Sequence, residues 1–484
     1  MSTTYYIDTR GDDRSAGTSP QQAWRSLEKL KGVRLLPGDQ VVLAEGQEFH
    51  GALSLPPSNI GTPQKPIVIR GSGAKRATII ASGSSAIELR AGGIEVRDLN
   101  LKSSLPLVVP DDSQKNYGES GLRIYTDDPG GRLYKHVRVE RVTVSGFSGD
   151  GVSVGSWHDS QPGFEDVVLY HVSAHDNGGK GINFYAKRDR EKPTVAYPHR
   201  NVRITDCTLL RNHSGSGLVL SGVQDSTVEY CLASENTGPG GGVGMWAYDA
   251  RQVRFHHCIV EGTRTRGKDG GGFDLDGGCV DCTIEHCLTY HNDGPGFMHC
   301  DYPTAGQTRG NIIRFCISIN DGHKKDQAAF GFGFVAWGSG LDECHVEHNL
   351  AIVQESYMGR EPEGVLFINR LPGYGGKNDD MHLKGCIAKN NTVVVVGKGV
   401  PLVSSNLLKL TNDQVQLDSN HYDARGIPPL FINGKKHHTS LQGWQEATGQ
   451  ERHSTEAPST IVIPSDYQKK TPRTLDELGL FKVL

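Results

Sequence analysis

The sequence predicts an all-β solenoid, a chain wound into stacked coils of short strands. Three observations predict it: abundant glycine beside a modest apolar fraction, short alternating strands along most of the chain, and one pattern that recurs with a regular core and irregular spacing. Of 484 residues, 61 are glycine and 36% are hydrophobic, which favours a turn-rich β architecture. The formal net charge of −4 argues against a general nucleic-acid binder. No run of about 18 apolar residues is present, so no membrane span is expected. Residues 1–10 lack the charged and apolar regions of a secretory signal, which leaves a cytoplasmic protein, or a secreted or periplasmic one whose signal was removed.

Taken in order, residues 5–20 read as a short strand and a glycine-bearing loop. Residues 24–30 read as a turn or two of amphipathic helix, and residues 36–43 as a strand entered through the Pro37-Gly38 turn. A solenoid has open ends whose apolar stack must be covered, so residues 1–64 are expected to form a strand and helix cap. Coils then fill residues 65–403. Their anchor is a small buried position after each first strand, held by Val142, Val172, Cys207, Cys231, Cys258, Cys287, Cys316, Asn349 and Cys386. A position that accepts Cys or Val is a packing position, so these cysteines are expected to be free thiols inside the fold. Cys279 and Cys282 form a lone CxxC without the second pair that a zinc finger needs.

Five residues after an anchor stand Asn177, Asn212, Asn236, Asn292 and Asn391, read as turn asparagines that hydrogen-bond from coil to coil. A glycine-led strand follows each turn, beginning at Gly181, Gly217, Gly242, Gly272, Gly296 and Gly331. Alternation turns Ile182, Phe184, Leu218, Leu220, Phe273, Leu275, Phe332 and Phe334 inward. The outward row is then Asn183, Tyr185, Lys187, Ser221, Trp246, Tyr248, Asp274, Asp276 and Trp337, stacked at about 4.8 Å per coil. The phase of residues 296–302 stays open. If Met298 and Cys300 point in, His299 and Asp301 join the row; if Phe297 points in, they do not.

Asp274 and Asp276 organise the functional reading. They stand two residues apart between glycines, share one face of a strand, and need water, a metal or a substrate. Tyr185, Trp246, Tyr248 and Trp337 can stack on sugar rings, while carboxylates hydrogen-bond hydroxyls or move protons. Residues i and i+2 of a strand lie about 6.6 Å apart at Cα, which could reach the roughly 6.5–9.5 Å carboxyl separation of an inverting glycosidase. One aspartate would be the general acid and the other the base for water, with His299 and Asp301 as further catalytic candidates. A rival reading is β-elimination or epimerisation on a uronate polymer. Lys187, Arg266, Lys268 and neighbouring basic loops would neutralise the substrate, His299, Tyr302 or Lys268 would serve as base, and acids could hold calcium, although no cofactor is required. A third is a non-catalytic glycan-binding scaffold.

The repeats, together with residues 271–278 followed by residues 291–297, resemble the pectate-lyase-like superfamily of right-handed parallel β-helix proteins. The resemblance implies a single-stranded right-handed parallel β-helix with an N-terminal helical cap and a C-terminal extension. It implies a poly- or oligosaccharide substrate without choosing among hydrolase, lyase and epimerase. In the polygalacturonase-like hydrolases of that superfamily three aspartates cluster on this sheet, roles that Asp274, Asp276 and Asp301 would fill, although the Asn-Thr-Asp and Gly-His-Gly signatures are absent. Residues 404–484, with residues 418–429, 440–449 and 471–479 as their main features, read as a capping extension made of a strand-like segment and one short helix over the second open end. No oligomerisation region is evident in it, and the oligomeric state stays open.

Overall fold

The computed structural model describes residues 2–109, 118–188, 196–267, 269–302, 306–324, 331–338, 340–354, 356, 364–370, 382–405, 410–461 and 463. The chain divides into two compact units, residues 1–240 and 241–484. Each is built from coils that contribute one strand in turn to a first, a second and a third parallel sheet. In the N-terminal unit the first sheet already includes Thr4–Ile7, paired in parallel with Gln40–Leu43, which pairs with Ile67–Gly71. The segment expected as a cap therefore supplies strands of its own. Its helical part is two 3-10 helices, Pro20–Gln22 and Leu27–Gly32, the second of which buries Leu27. In the C-terminal unit the third sheet runs through Met245–Tyr248, Phe273–Leu275, Phe297–Asp301, Phe334–Gly338, Leu366–Arg370, Val403–Ser405 and Phe431–Asn433. No helix of the described residues is long and apolar enough to cross a membrane.

Local backbone chemistry explains the sharp corners. One residue with positive φ stands between the first and second strands of a coil: Arg141, His171, Asp206 and Tyr230 in the N-terminal unit, and His257, His286, Phe315 and His348 in the C-terminal one. The anchor follows it at once, so Cys207, Cys231, Cys258, Cys287 and Cys316 are buried free thiols. The left-handed conformation costs a side chain roughly 1 kcal/mol or more, and stacking offsets some of that: His257, His286, Phe315 and His348 lie ring on ring at 5.2, 5.2 and 5.3 Å.

The asparagine ladder is present and directional. Nδ2 of Asn177 donates to Oδ1 of Asn212 at 3.0 Å, and Nδ2 of Asn212 to Oδ1 of Asn236 at 3.1 Å. Its phase in the C-terminal unit differs from the expectation. Cys386 opens a first-sheet strand rather than following one. The Cys316 column continues instead through Asn349 and Asn391, joined at 3.0 Å, and on to Asn420 at 3.1 Å and Glu451. Asn391 is thus an anchor, not the second turn. The turn after Asn292 carries Asp321, whose Oδ1 accepts from Asn292 Nδ2 at 2.8 Å.

The core of the C-terminal unit is aromatic, with Phe273, Phe297 and Phe334 stacked at 5.4 and 5.1 Å. Its last strands are covered by an α-helix, Leu441–Thr448, N-capped by Ser440 Oγ and ended by left-handed Gly449. Trp444 of this helix is buried against Phe431. Residues 471–479 of the expected capping extension lie outside the described residues.

Candidate functional site

The register of the third sheet settles which side chains meet. Phe273 pairs with Phe297, Asp274 with Met298 and Leu275 with His299. Since side chains alternate, inward Phe297 turns Met298 and Cys300 outward beside Asp274 and Asp276. Gly272 makes this approach possible, because a Cβ there would lie 2.4 Å from Thr289 Cγ2 and 2.6 Å from the Gly296 carbonyl oxygen. One carboxylate oxygen each of Asp274 and Asp276 and the Cys300 sulfur all lie within 4.8 Å of one another. Among the described residues this is the one place where three such donors gather.

Asp274 is 5% exposed, so it does not line an open trough as its outward phase suggests; Asp276 is half-buried. A wall of Val243, Met298, Cys300 and Val335, with Trp246 packed on it, accounts for the dry surroundings. Asp274 Oδ1 is buried without a hydrogen-bond partner. Desolvation, followed by the charges of Asp276 and Asp269, pushes the Asp274 carboxyl well above the usual range, while a hydrogen bond from the Cys300 thiol acts the other way. Burial and the same carboxylates push the Cys300 thiol up. Burial and its acidic neighbours therefore bias Asp274 toward the protonated form. Asp276 Oδ1 accepts from Gly277 N at 2.8 Å, which fixes the carboxylate at the strand end.

Aromatic rings flank the acids. Trp246 stands directly beside Asp274 in register, and Tyr248 lies two residues further along the strand. The rings of Tyr248 and Tyr302 stack at 5.9 Å. Arg266 is exposed on the loop before Asp269, whereas Arg264 is engaged by the His291 carbonyl and Lys324 by the carbonyls of Thr265 and Gly267 at 2.7 Å each. Two basic groups of these loops thus hold the loop itself.

Two catalytic candidates are placed elsewhere. His299 faces the interior, its Nε2 3.1 Å from the His345 carbonyl, and burial lowers its pKa to about 4. It lines an apolar cavity with Phe334, Leu341, Cys344 and Leu383, where no sugar chain could reach it. Asp301 is buried and accepts from Thr308 Oγ1 at 2.7 Å; that hydroxyl in turn accepts from Gly278 N at 2.9 Å. Asp301 thereby anchors the turn after Asp276. Both corrections follow from Phe297 pointing in. Tyr185 and Lys187 belong to the N-terminal unit, where Tyr185 lies over Gly155 and Lys187 pairs with Asp159 at 2.6 Å. Lys268 lies outside the described residues. Trp337 is described only as a strand residue in register with Cys300.

Sequence reasoning did not single out Cys300 or Asp269. The signal for Cys300 was the repeated Gly-Phe strand opening, Gly272-Phe273 and Gly296-Phe297, which sets both strands in one phase.

The family model for the right-handed beta helix region matches residues 124–302. With the three parallel sheets, this places the chain in the right-handed parallel β-helix class of folds. Within that class, the chain is similar to a lacto-N-biosidase of Bifidobacterium longum subsp. longum, 26% identical over 237 residues. The match covers 44% of this chain and only 14% of that relative's length. The crystal structure of a GH136 lacto-N-biosidase from Eubacterium ramulus matches with a TM-score of 0.59 at 16% identity, over 81% of this chain and 68% of the other. Its selenomethionine derivative gives 0.58 at 17% identity, over 81% and 67%.

Proposed function

We propose that this protein is a glycoside hydrolase acting on an oligo- or polysaccharide, with Asp274 and Asp276 as its working acids. The observation that carries the reading is the pair itself: two carboxyl groups with oxygens within 4.8 Å, one buried and one reached by solvent. Oxygens this near favour the ~5–5.5 Å carboxyl separation of retaining enzymes over the roughly 6.5–9.5 Å of inverting ones. We therefore read a double displacement in place of the inverting geometry expected from strand spacing. Asp274, protonated, gives its proton to the leaving glycosidic oxygen while Asp276 attacks the anomeric carbon. Water then displaces Asp276 from that carbon and returns a proton to Asp274. Trp246, Tyr248 and Tyr302 supply ring faces for sugars, and the likeness to lacto-N-biosidases supports a sugar substrate.

The test is incubation with an oligo- and polysaccharide panel that includes lacto-N-biosidase substrates, reading new reducing ends and the absorbance of unsaturated products. Reducing ends without unsaturation are expected. Unsaturated products would establish a lyase instead, and full activity in both Asp274→Asn and Asp276→Asn would remove the assignment.

A further inference from the structure

Cys300 has no part in the hydrolysis proposed above, yet the sheet register turns its thiol onto the same two carboxylates. We propose that Asp274, Asp276 and Cys300 form a binding site for one thiophilic divalent cation of the zinc and cadmium class. Three observations carry this. The three donor atoms already lie within 4.8 Å of one another, and the ligands of a tetrahedral zinc stand roughly 3–4 Å apart, so small side-chain rotations close the site. Asp274 Oδ1 is buried, in a residue 95% shielded, and has no hydrogen-bond partner, an arrangement that costs stability unless something fills it. The donors are also mixed, one sulfur and two carboxylates, and the sulfur selects against calcium and magnesium, which take oxygen ligands.

The surroundings suit such an ion. The wall of Val243, Met298 and Val335 excludes water on one side and strengthens the attraction between a dication and its anionic ligands. Half-buried Asp276 leaves an entry path and a fourth position for water, the open coordination of an exchangeable ion rather than a closed structural one. Uptake would release the Cys300 thiol proton and the Asp274 proton to solvent and leave the ion with two carboxylates and a thiolate. A cation held by the Asp274 carboxylate would displace the proton that the hydrolytic reading assigns to it, so the filled site would be catalytically silent. Cation binding itself does not depend on the hydrolytic reading, since it needs only the three donors.

Cadmium titration of the metal-free full chain tests this, followed by the sulfur-to-cadmium charge-transfer band in the ultraviolet and by calorimetry. One equivalent is expected, with the band, unaffected by excess calcium. Cys300→Ser should lose the band and at least tenfold in affinity. Asp276→Asn should keep the band and lose about tenfold, in line with the loss of one ligand from a small set. Circular dichroism and melting confirm that each variant folds. No uptake by the native chain, or a band that persists unchanged in folded Cys300→Ser because another of the ten thiols supplies it, overturns the proposal. If Cys300→Ser does not fold, native affinity in Asp276→Asn overturns it. The hydrolase reading fails separately, through absence of sugar cleavage by the metal-free protein, and either result can occur without the other.

Discussion

The third sheet carries acids on its outer face in both units, and the two units treat them differently. In the N-terminal unit Glu88 lies 3.0 Å from Arg123, Asp127 is paired with Arg90, and both guanidinium groups cover the Tyr125 ring at 4.3 and 5.1 Å. Those acids are neutralised, partly exposed and held in a cation–aromatic cluster. In the C-terminal unit Asp274 is buried beside two further carboxylates, Asp276 and Asp269, and beside a thiol. The same sheet thus carries an ion-paired, partly exposed surface in one place and a buried acidic site with an unpartnered oxygen in the other. What separates them is the partner that the neighbouring coil supplies: arginine in one, methionine and cysteine in the other.

The largest expected effect falls on the acidic side of that contrast. Asp274→Asn and Asp276→Asn should each lower kcat by about 10²–10⁴ with the fold retained, the range of a lost proton donor or nucleophile. Initial rates and far-ultraviolet dichroism check this.

The next prediction separates two buried acids of the same unit. Asp321, unlike Asp274, accepts from Thr289 and Ser318 hydroxyls at 2.5 and 2.7 Å and from the Asn292 backbone and side chain. Burial nevertheless raises its pKa from 3.8 to about 6. A raised carboxyl pKa means that folding favours the protonated form. Its contribution is present below about pH 4, is lost as pH rises to about 6, and is level above; the total is about 3 kcal/mol. Denaturant midpoints should therefore fall between pH 4 and 6.5, and Asp321→Asn should flatten that dependence. An unchanged slope in the variant would show that the four donors hold the ionised form.

A smaller effect is expected from Asp269→Asn. Removing one of the charges that raise Asp274 should move the alkaline limb of the activity profile to lower pH, while kcat at its optimum changes less than in the Asp274 and Asp276 variants. A limb that stays in place would mean that desolvation alone sets the Asp274 proton. The smallest effect belongs to the neutralised cluster: Arg123→Ala should cost about 1 kcal/mol or less in urea unfolding, as exposed ion pairs do. A cost several times larger would erase the distinction between the two regions.

Much of this was legible in the residues. Phe273 and Leu275 alternate with Asp274 and Asp276, and that period alone puts both acids on one face. The coil pattern with its anchors gave the solenoid, and the free buried thiols followed from a column shared by Cys and Val. What failed had a common cause, phase. Cys386 matched the anchor motif by composition while standing one turn too early, because Lys384-Gly385 allows a left-handed glycine before it just as histidine does before Cys287. His299 and Asp301 depended on whether Phe297 or Met298 pointed in, and a five-residue strand of mostly apolar residues does not declare its face. Burial of Asp274 was not legible at all, since it depends on Met298 and Val335 from later coils.

The amide columns are directional, and that sets how each of them can end. Each rung passes a proton donor in one direction and needs an oxygen ahead of it, so the run from Asn349 through Asn391 and Asn420 has to finish on a residue that only receives. Glu451 does this, taking Asn420 Nδ2 at 3.1 and 3.2 Å, and Asp321 does the same for Asn292. A carboxylate therefore closes the amide column in which it stands, while the coils themselves run on, as those after Asp321 do.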